Sequence, residues 1–189
     1  MGIEFDILYW FQSIHSGILD KIMVAFTSLG NAGMFWIALA LVLACTKKYR
    51  KVGLTMGIAL LLSLIMCNGV MKNFVARPRP CWIDPSVQLL VKIPADYSFP
   101  SGHTSASFAA ALVLWMYNKK TGFAAIFLAT IIGISRLYLF VHFPSDVIVS
   151  VFLGSLYGVI AFYIMKWIDG RFPKAAKFLN PLNVKESEM

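Results

Sequence analysis

The stretch Ser135 to Asp146, SRLYLFVHFPSD, sets a cation, an imidazole and a carboxylate (Arg136, His142, Asp146) at the junction of two long apolar segments. Lys72 and Arg79 close an earlier apolar run in KNFVARPRP, and Pro100-Ser101-Gly102-His103 opens the run that follows. Ionisable groups at a membrane boundary are rare, and where they occur they face a cavity and pair with one another. All three clusters end hydrophobic segments, so segments that alternate in direction bring them to one face.

The residue types specify a chemistry. Lys72, Arg79 and Arg136 lack carboxylate partners nearby in sequence, which points to a polyanion, and phosphate fits best. Lysine supplies a point charge, whereas arginine offers a planar fork for two phosphate oxygens. Ser101 and Gly102 at the start of a helix add unpaired N–H groups and positive partial charge, and Gly102 lets the backbone approach a ligand closely. No GxxxxGK[ST] loop is present, so nucleotide binding is not indicated. His142 and Asp146 are four residues apart behind Pro144, a residue suited to a first helical turn, so imidazole and carboxylate share one face. An aspartate accepting from Nδ1–H fixes the tautomer and leaves Nε2 as an in-line nucleophile. His103 then protonates the leaving oxygen, a contribution of roughly 10² to 10⁴ in rate. No carboxylate cluster has metal-ligand spacing on this face, so neither a metal nor another cofactor is expected.

The rest of the chain has to position these groups. Its 189 residues are 59% hydrophobic and 14% charged, against about 25% charged in a soluble domain, so an all-α integral membrane bundle is expected, one domain over 1–189 with its core at 18–168. Residues 1–15 alternate apolar and polar in the manner of an interfacial amphipathic helix, with Tyr9 and Trp10 at headgroup level. Six transmembrane helices are expected, at about 18–29, 34–46, 52–71, 101–117, 122–139 and 144–167. The first is short of the ~20 residues that cross ~30 Å of hydrocarbon and has to borrow residues upstream. The proline-rich stretch 78–100 is the one substantial extramembrane loop. The tail after Asp169 is polar and basic and expected to be poorly ordered. Gly53/Gly57 and Gly154/Gly158 are GxxxG pairs, read as packing within the bundle before a homodimer contact.

Lys plus Arg number 17 against 9 Asp plus Glu. One side of the expected bundle carries Lys47, Lys48, Arg50, Lys51, Lys119, Lys120, Lys166, Arg171, Lys174, Lys177 and Lys185; the other carries Lys72, Arg77, Arg79, Lys92 and Arg136. Basic residues accumulate on the cytoplasmic side, so the three clusters face outward. No basic helix face or RNA-binding aromatic motif is present, so no nucleic-acid partner is expected. Cys45 and Cys67 read as apolar filler, and Cys81, after Arg79-Pro80, is expected to be accessible from outside.

Lys72-x6-Arg79-Pro80, Pro100-Ser101-Gly102-His103 and Ser135-Arg136-x5-His142-x3-Asp146, in order over residues 72–146, resemble the three-part signature of the type 2 phosphatidic acid phosphatase (PAP2) superfamily. The resemblance implies that Lys72, Arg79 and Arg136 bind phosphate with help from Ser101 and Gly102, that His142 is phosphorylated and that His103 is the acid. Spacing selects Arg79 over Arg77, which also precedes proline. The resemblance also implies a bacterial cell-membrane lipid phosphatase acting on phosphatidylglycerophosphate, phosphatidate or undecaprenyl diphosphate. Undecaprenyl-diphosphatases of the superfamily often carry aspartate where Gly102 stands, which favours a phosphatidylglycerophosphate or general lipid phosphatase. A lipid phosphotransferase and a lipid or anion transporter are the alternatives; a haloperoxidase is disfavoured by the membrane bundle.

Overall fold

Runs of Leu, Ile, Ala, Val and Phe can enter hydrocarbon only in a structure that satisfies every backbone N–H and C=O within its own segment, and a helix does this. The computed structural model describes residues 2–179, so Lys185 and the last ten residues lie outside it; among the described residues every regular element is helical. In chain order these are α1 (Ile3–Ser13), α2 (Gly17–Leu29), a short 3₁₀ turn (Asn31–Gly33), α3 (Met34–Cys45) and α4 (Arg50–Ser63). Helix α4 runs on through a π-helical stretch (Leu64–Met71) into α5 (Lys72–Val75), followed by α6 (Pro80–Ile83). Then come α7 (Gly102–Tyr117), α8 (Lys119–Tyr138), α9 (Pro144–Arg171) and α10 (Pro173–Leu179). The residues after Asp169, expected to lack order, thus finish α9 and form a further helix as far as Leu179.

Among the described residues three helical stretches are long and apolar enough to cross a membrane: Arg50–Ile83, α8 and α9. A fourth is reached if α2 and the 31–45 segment, bent by 45°, form one broken span. By length and apolarity the described helices thus account for three or four of the six expected crossings, and the expected segments that fall short lie at α2 with α3 and at α7. Along its length α2 meets α8 only near the C-terminal end of that helix: Tyr138 bonds Asp20, Arg136 bonds Thr27, and Gly30 lies against Ile132. The seven residues Ile132–Tyr138 cover only about 9 Å of the α8 axis, so α2 lies beside one end of α8 and its 13 residues do not run the length of that helix. Helix α7, at 16 residues, is shorter than the other candidate spans. It lies at the centre, packed on α4, α8 and α9, with half its residues buried.

Small residues set how closely the helices approach. A Cβ on Gly154 of α9 would stand 2.3 Å from the Ser105 carbonyl oxygen of α7, and one on Gly158 would stand 2.8 Å from that of Ala109. A Cβ on Gly53 of α4 would meet the α3 backbone at 2.2 Å. These GxxxG glycines are spent inside the bundle, Gly57 excepted, which has open space around it. Polar pairs pin α3 and α4 to α7: Trp36 Nε1 donates to Ser107 Oγ at 2.9 Å, and the Ser63 and Ser105 hydroxyls meet at 2.8 Å. Cys81, expected to be accessible, is buried with Tyr138, Phe140 and Phe143 beneath α1.

Gly154→Ala should push α9 away from α7 at a cost of about 1–3 kcal/mol, the range for overpacking. Thermal unfolding of the detergent-solubilised protein should show a lowered midpoint for Gly154→Ala and an unchanged one for Gly57→Ala; equal midpoints would contradict the close approach.

Candidate functional site

Lys72 is carried to its place by the π-helical stretch, a geometry that rotates the following side chain relative to a regular helix and is enriched at functional sites. Its ammonium group is buried and donates to Asp96 in the proline-rich loop. Arg79 is 2% exposed and uses its whole fork. Nε donates to the Asp96 carbonyl (2.6 Å), Nη2 to Asp96 Oδ1 (2.7 Å) and the Tyr97 carbonyl (3.2 Å), and Nη1 to the Val141 carbonyl (2.7 Å) and His142 Nε2 (3.1 Å). Burial opposes ionisation of Asp96, but the Lys72 ammonium and the Arg79 guanidinium outweigh it and hold this carboxyl at about 2.

Helix α8 ends in a way its sequence does not advertise. Phe140 has φ +57°, its N–H bonds Leu137 O, and the Val141 N–H reaches back to Arg136 O. This pair of bonds is a Schellman cap with phenylalanine where glycine is usual, a left-handed residue that costs about 1–2 kcal/mol. The cap reverses the chain and turns His142 towards Arg79. Arg136, one turn earlier, is 5% exposed; Nη1 bonds Thr27 Oγ1 at 2.5 Å, and Nε has no hydrogen-bond partner among the described residues.

His142 is buried between Arg79 and Asp146. Since arginine can only donate, Nε2 accepts and the proton sits on Nδ1. Burial, reinforced by the charges of Arg79, Arg136 and Lys72, drives this imidazole well below its ordinary range and keeps it neutral. The expected Nδ1–H to Asp146 contact is 3.6 Å, longer than a hydrogen bond, and Ser98 stands beside it: its hydroxyl is 3.5 Å from Nδ1 and donates to Asp146 Oδ2 at 2.5 Å. Asp146 is fully buried and also accepts from the Phe143 N–H (2.9 Å) at the start of α9. Its other oxygen accepts from Arg77 Nη1 at 2.6 Å. Arg77 therefore lies behind the carboxylate and Arg79 in front of the imidazole. Arg77 Nη2 donates in turn to Glu4 of α1 (2.6 Å), which also accepts from the Ser145 N–H and hydroxyl.

Ser101 caps α7, its hydroxyl accepting from Thr104, while its own N–H donates to Ser150 Oγ at 2.7 Å. That amide is spent, leaving Gly102 and the first turn of α7 as the source of open N–H groups. Gly102 faces the Asn68 side chain, which a Cβ would meet at 2.8 Å. His103 Nε2 lies 3.0 Å from Asn31 Oδ1 in the break between α2 and α3, and the charges acting on its ring come from Arg136, Lys72 and Arg79, with His142. The eight expected residues thus converge at one end of the bundle. Glu4, Arg77, Asp96, Ser98, Thr27 and Asn31 join them without having been singled out for it in the sequence. A cavity of about 780 Å³ opens from Lys72, Asp96 and His103 and continues between α3 and α4 as far as Ala44 and Gly53.

The sequence model of the PAP2 superfamily matches residues 48–169. An undecaprenyl-diphosphatase of Bacillus subtilis, BcrC, is 31% identical over 150 residues, covering 79% of this chain and 77% of its own. The crystal structure of Aquifex aeolicus LpxE superposes with a TM-score of 0.76 at 27% identity, covering 86% of this chain and 96% of that one. A transmembrane PAP2-type phosphatidylglycerolphosphate phosphatase from Bacillus subtilis superposes with a TM-score of 0.72 at 27% identity, covering 88% and 86%.

Removing Arg77 leaves a fully buried carboxylate unmatched, and breaking a buried pair costs about 3–5 kcal/mol, the partial exposure of Arg77 favouring the lower end. Arg77→Gln should lower the unfolding midpoint by roughly 5–10 °C, Lys92→Gln in the exposed loop should not, and adding Asp146→Asn to Arg77→Gln should restore part of the loss. Additive losses in that double variant would mean that the pair is not coupled.

Proposed function

The chain belongs to the PAP2 superfamily, and from that membership we propose that it is a membrane lipid-phosphate phosphatase that works through a phosphohistidine on His142. The observation that carries the reading is a neutral, buried imidazole whose Nε2 faces the cations and whose Nδ1 is backed by Ser98 and Asp146. In-line attack by Nε2 builds negative charge on three equatorial phosphoryl oxygens. Lys72, Arg79, Arg136 and the amides at the start of α7 are donors for that charge, preorganised in an environment where such interactions are worth more than in water. His103 gives its proton to the departing lipid oxygen, then activates the water that releases phosphate from His142. No step calls for a metal.

The lipid part of the substrate fits the cavity that descends from Lys72 towards Gly53, a run of helix roughly 28 Å long. Its walls are mostly apolar and small residues, suited to hydrocarbon. Relatives named for undecaprenyl diphosphate and for phosphatidylglycerophosphate both match this chain, and the shared chemistry, a terminal phosphate on a long apolar chain, is what we assign as substrate class. The charge pattern of the loops supports an outward-facing site on a single domain anchored in the cell membrane.

Phosphate release from purified lipid phosphates should be abolished by His142→Ala, inhibited competitively by vanadate and indifferent to EDTA. Turnover by His142→Ala, or activity lost in EDTA and restored by Mg²⁺, would overturn the mechanism. Orientation is testable with the chain's own thiols: a membrane-impermeant maleimide added to intact cells should label Gln88→Cys in the exposed loop and leave the exposed Cys45 at the opposite end unlabelled. The reverse pattern would place the site in the cytoplasm.

A further inference from the structure

Arginine has five N–H donors in a fixed fork, and in Arg79 all five are engaged: Nε and one donor of Nη2 by the Asp96 and Tyr97 carbonyls, the other Nη2 donor by Asp96 Oδ1, and Nη1 by Val141 O and His142 Nε2. A phosphate oxygen can reach Arg79 only if a present partner leaves. The carbonyls of Val141, Asp96 and Tyr97 are fixed by the backbone, so the movable ones are the Asp96 side chain and the imidazole. The same Asp96 carboxylate takes the Lys72 ammonium on its second oxygen. One carboxylate thus bridges Lys72, which lines the mouth of the cavity, and Arg79 behind it, from a loop and with its side chain 56% exposed.

We propose that Asp96 is a resident anion of this site, which an incoming phosphate must displace, and that it makes the site selective for phosphate groups carrying more than one negative charge. The inference rests on the reading that Lys72 and Arg79 receive the substrate phosphate. A membrane surrounds the site with phosphodiester headgroups, each bearing a single charge. Against these a tethered carboxylate of equal charge holds its place, because its geometry is already set and its displacement takes a partner from both cations at once. The terminal phosphoryl group of a phosphomonoester or diphosphate carries roughly 1.5 to 2 charges near pH 7 and three strong acceptor oxygens. It offers the two cations more than Asp96 does, and it also reaches Arg136, whose buried Nε is unpartnered and which Asp96 does not contact. Displacement lowers the apparent affinity for every anion by the fraction of time the site stands open, and only the multiply charged ones can bear that reduction.

The test uses the purified full chain in detergent micelles, with inorganic phosphate as the binding probe and phosphatidylglycerol as the phosphodiester competitor. Asp96→Asn should bind inorganic phosphate roughly 10- to 100-fold more tightly than wild type, and phosphatidylglycerol, a poor inhibitor of the wild type, should inhibit the variant's hydrolysis of a phosphomonoester lipid. If Asp96 instead only orients Lys72 and Arg79, phosphate affinity falls or is unchanged in Asp96→Asn, and the proposal is wrong. Asp96→Ser gives the same comparison should the asparagine variant fail to fold. Wild-type protein that neither binds phosphate nor releases it from lipid would overturn the functional reading itself, whereas an active wild type with an indifferent Asp96→Asn overturns only the resident anion.

Discussion

A carboxylate with no access to water cannot stay ionised in an apolar bundle unless the protein surrounds it with donors, and Asp146 is that carboxylate here. Its donors come from separate parts of the chain: Arg77 before the loop, Ser98 at the loop's end, and the Phe143 amide at the start of its own helix. Satisfying one side chain therefore fixes where the proline-rich loop leaves α5, where it re-enters at α7, and how α9 starts. The same bonds set the imidazole of His142 between Asp146 and Arg79.

The second constraint is repulsion. Lys72, Arg79 and Arg136 are all buried at one end of the bundle, close enough for Arg79 to perturb Arg136 and for all three to act on His142. Asp96 offsets part of this charge from outside the membrane core, whereas among the described residues Arg136 is hydrogen-bonded to the neutral Thr27 hydroxyl alone, its Nε left over. A cluster of this sign costs folding energy, and its field favours an anion for the same reason. The closeness that makes it work depends on glycine: α9 can bring Asp146 against α7 only because Gly154 and Gly158 let the two backbones touch.

What could be read from the sequence was what depends on residue type and short spacing. Lys72, Arg79, His103, Arg136, His142 and Asp146 interrupt apolar runs, and the structure gathers them at one end. Glu4, Ser98, Asp96 and Thr27 are ordinary polar residues in loops or helix faces, and their roles arise from contacts 17 to 141 residues away. No local pattern marks them. The Schellman cap was hidden because phenylalanine occupies the glycine position. The span count has a similar origin: hydropathy reports that α2 is apolar but not that it meets α3 at a 45° bend. The burial of Cys81 depends on α1 folding over it, a long-range event that its neighbours Arg79 and Pro80 do not announce.

Helix α1 ties the beginning of the chain to this end of the bundle. Glu4 holds Arg77 and Ser145, Tyr9 donates to Asp84 at 2.6 Å, and Gln12 bonds the Tyr138 carbonyl. Phe5 stacks among Tyr9, Phe140 and Phe143. Any purification tag or fusion partner joined ahead of Ile3 enters the structure two residues from a carboxylate that buttresses the Asp146 pair. The Asp146 pair is thus coupled, through Glu4 and Arg77, to whatever stands ahead of Ile3 in the chain.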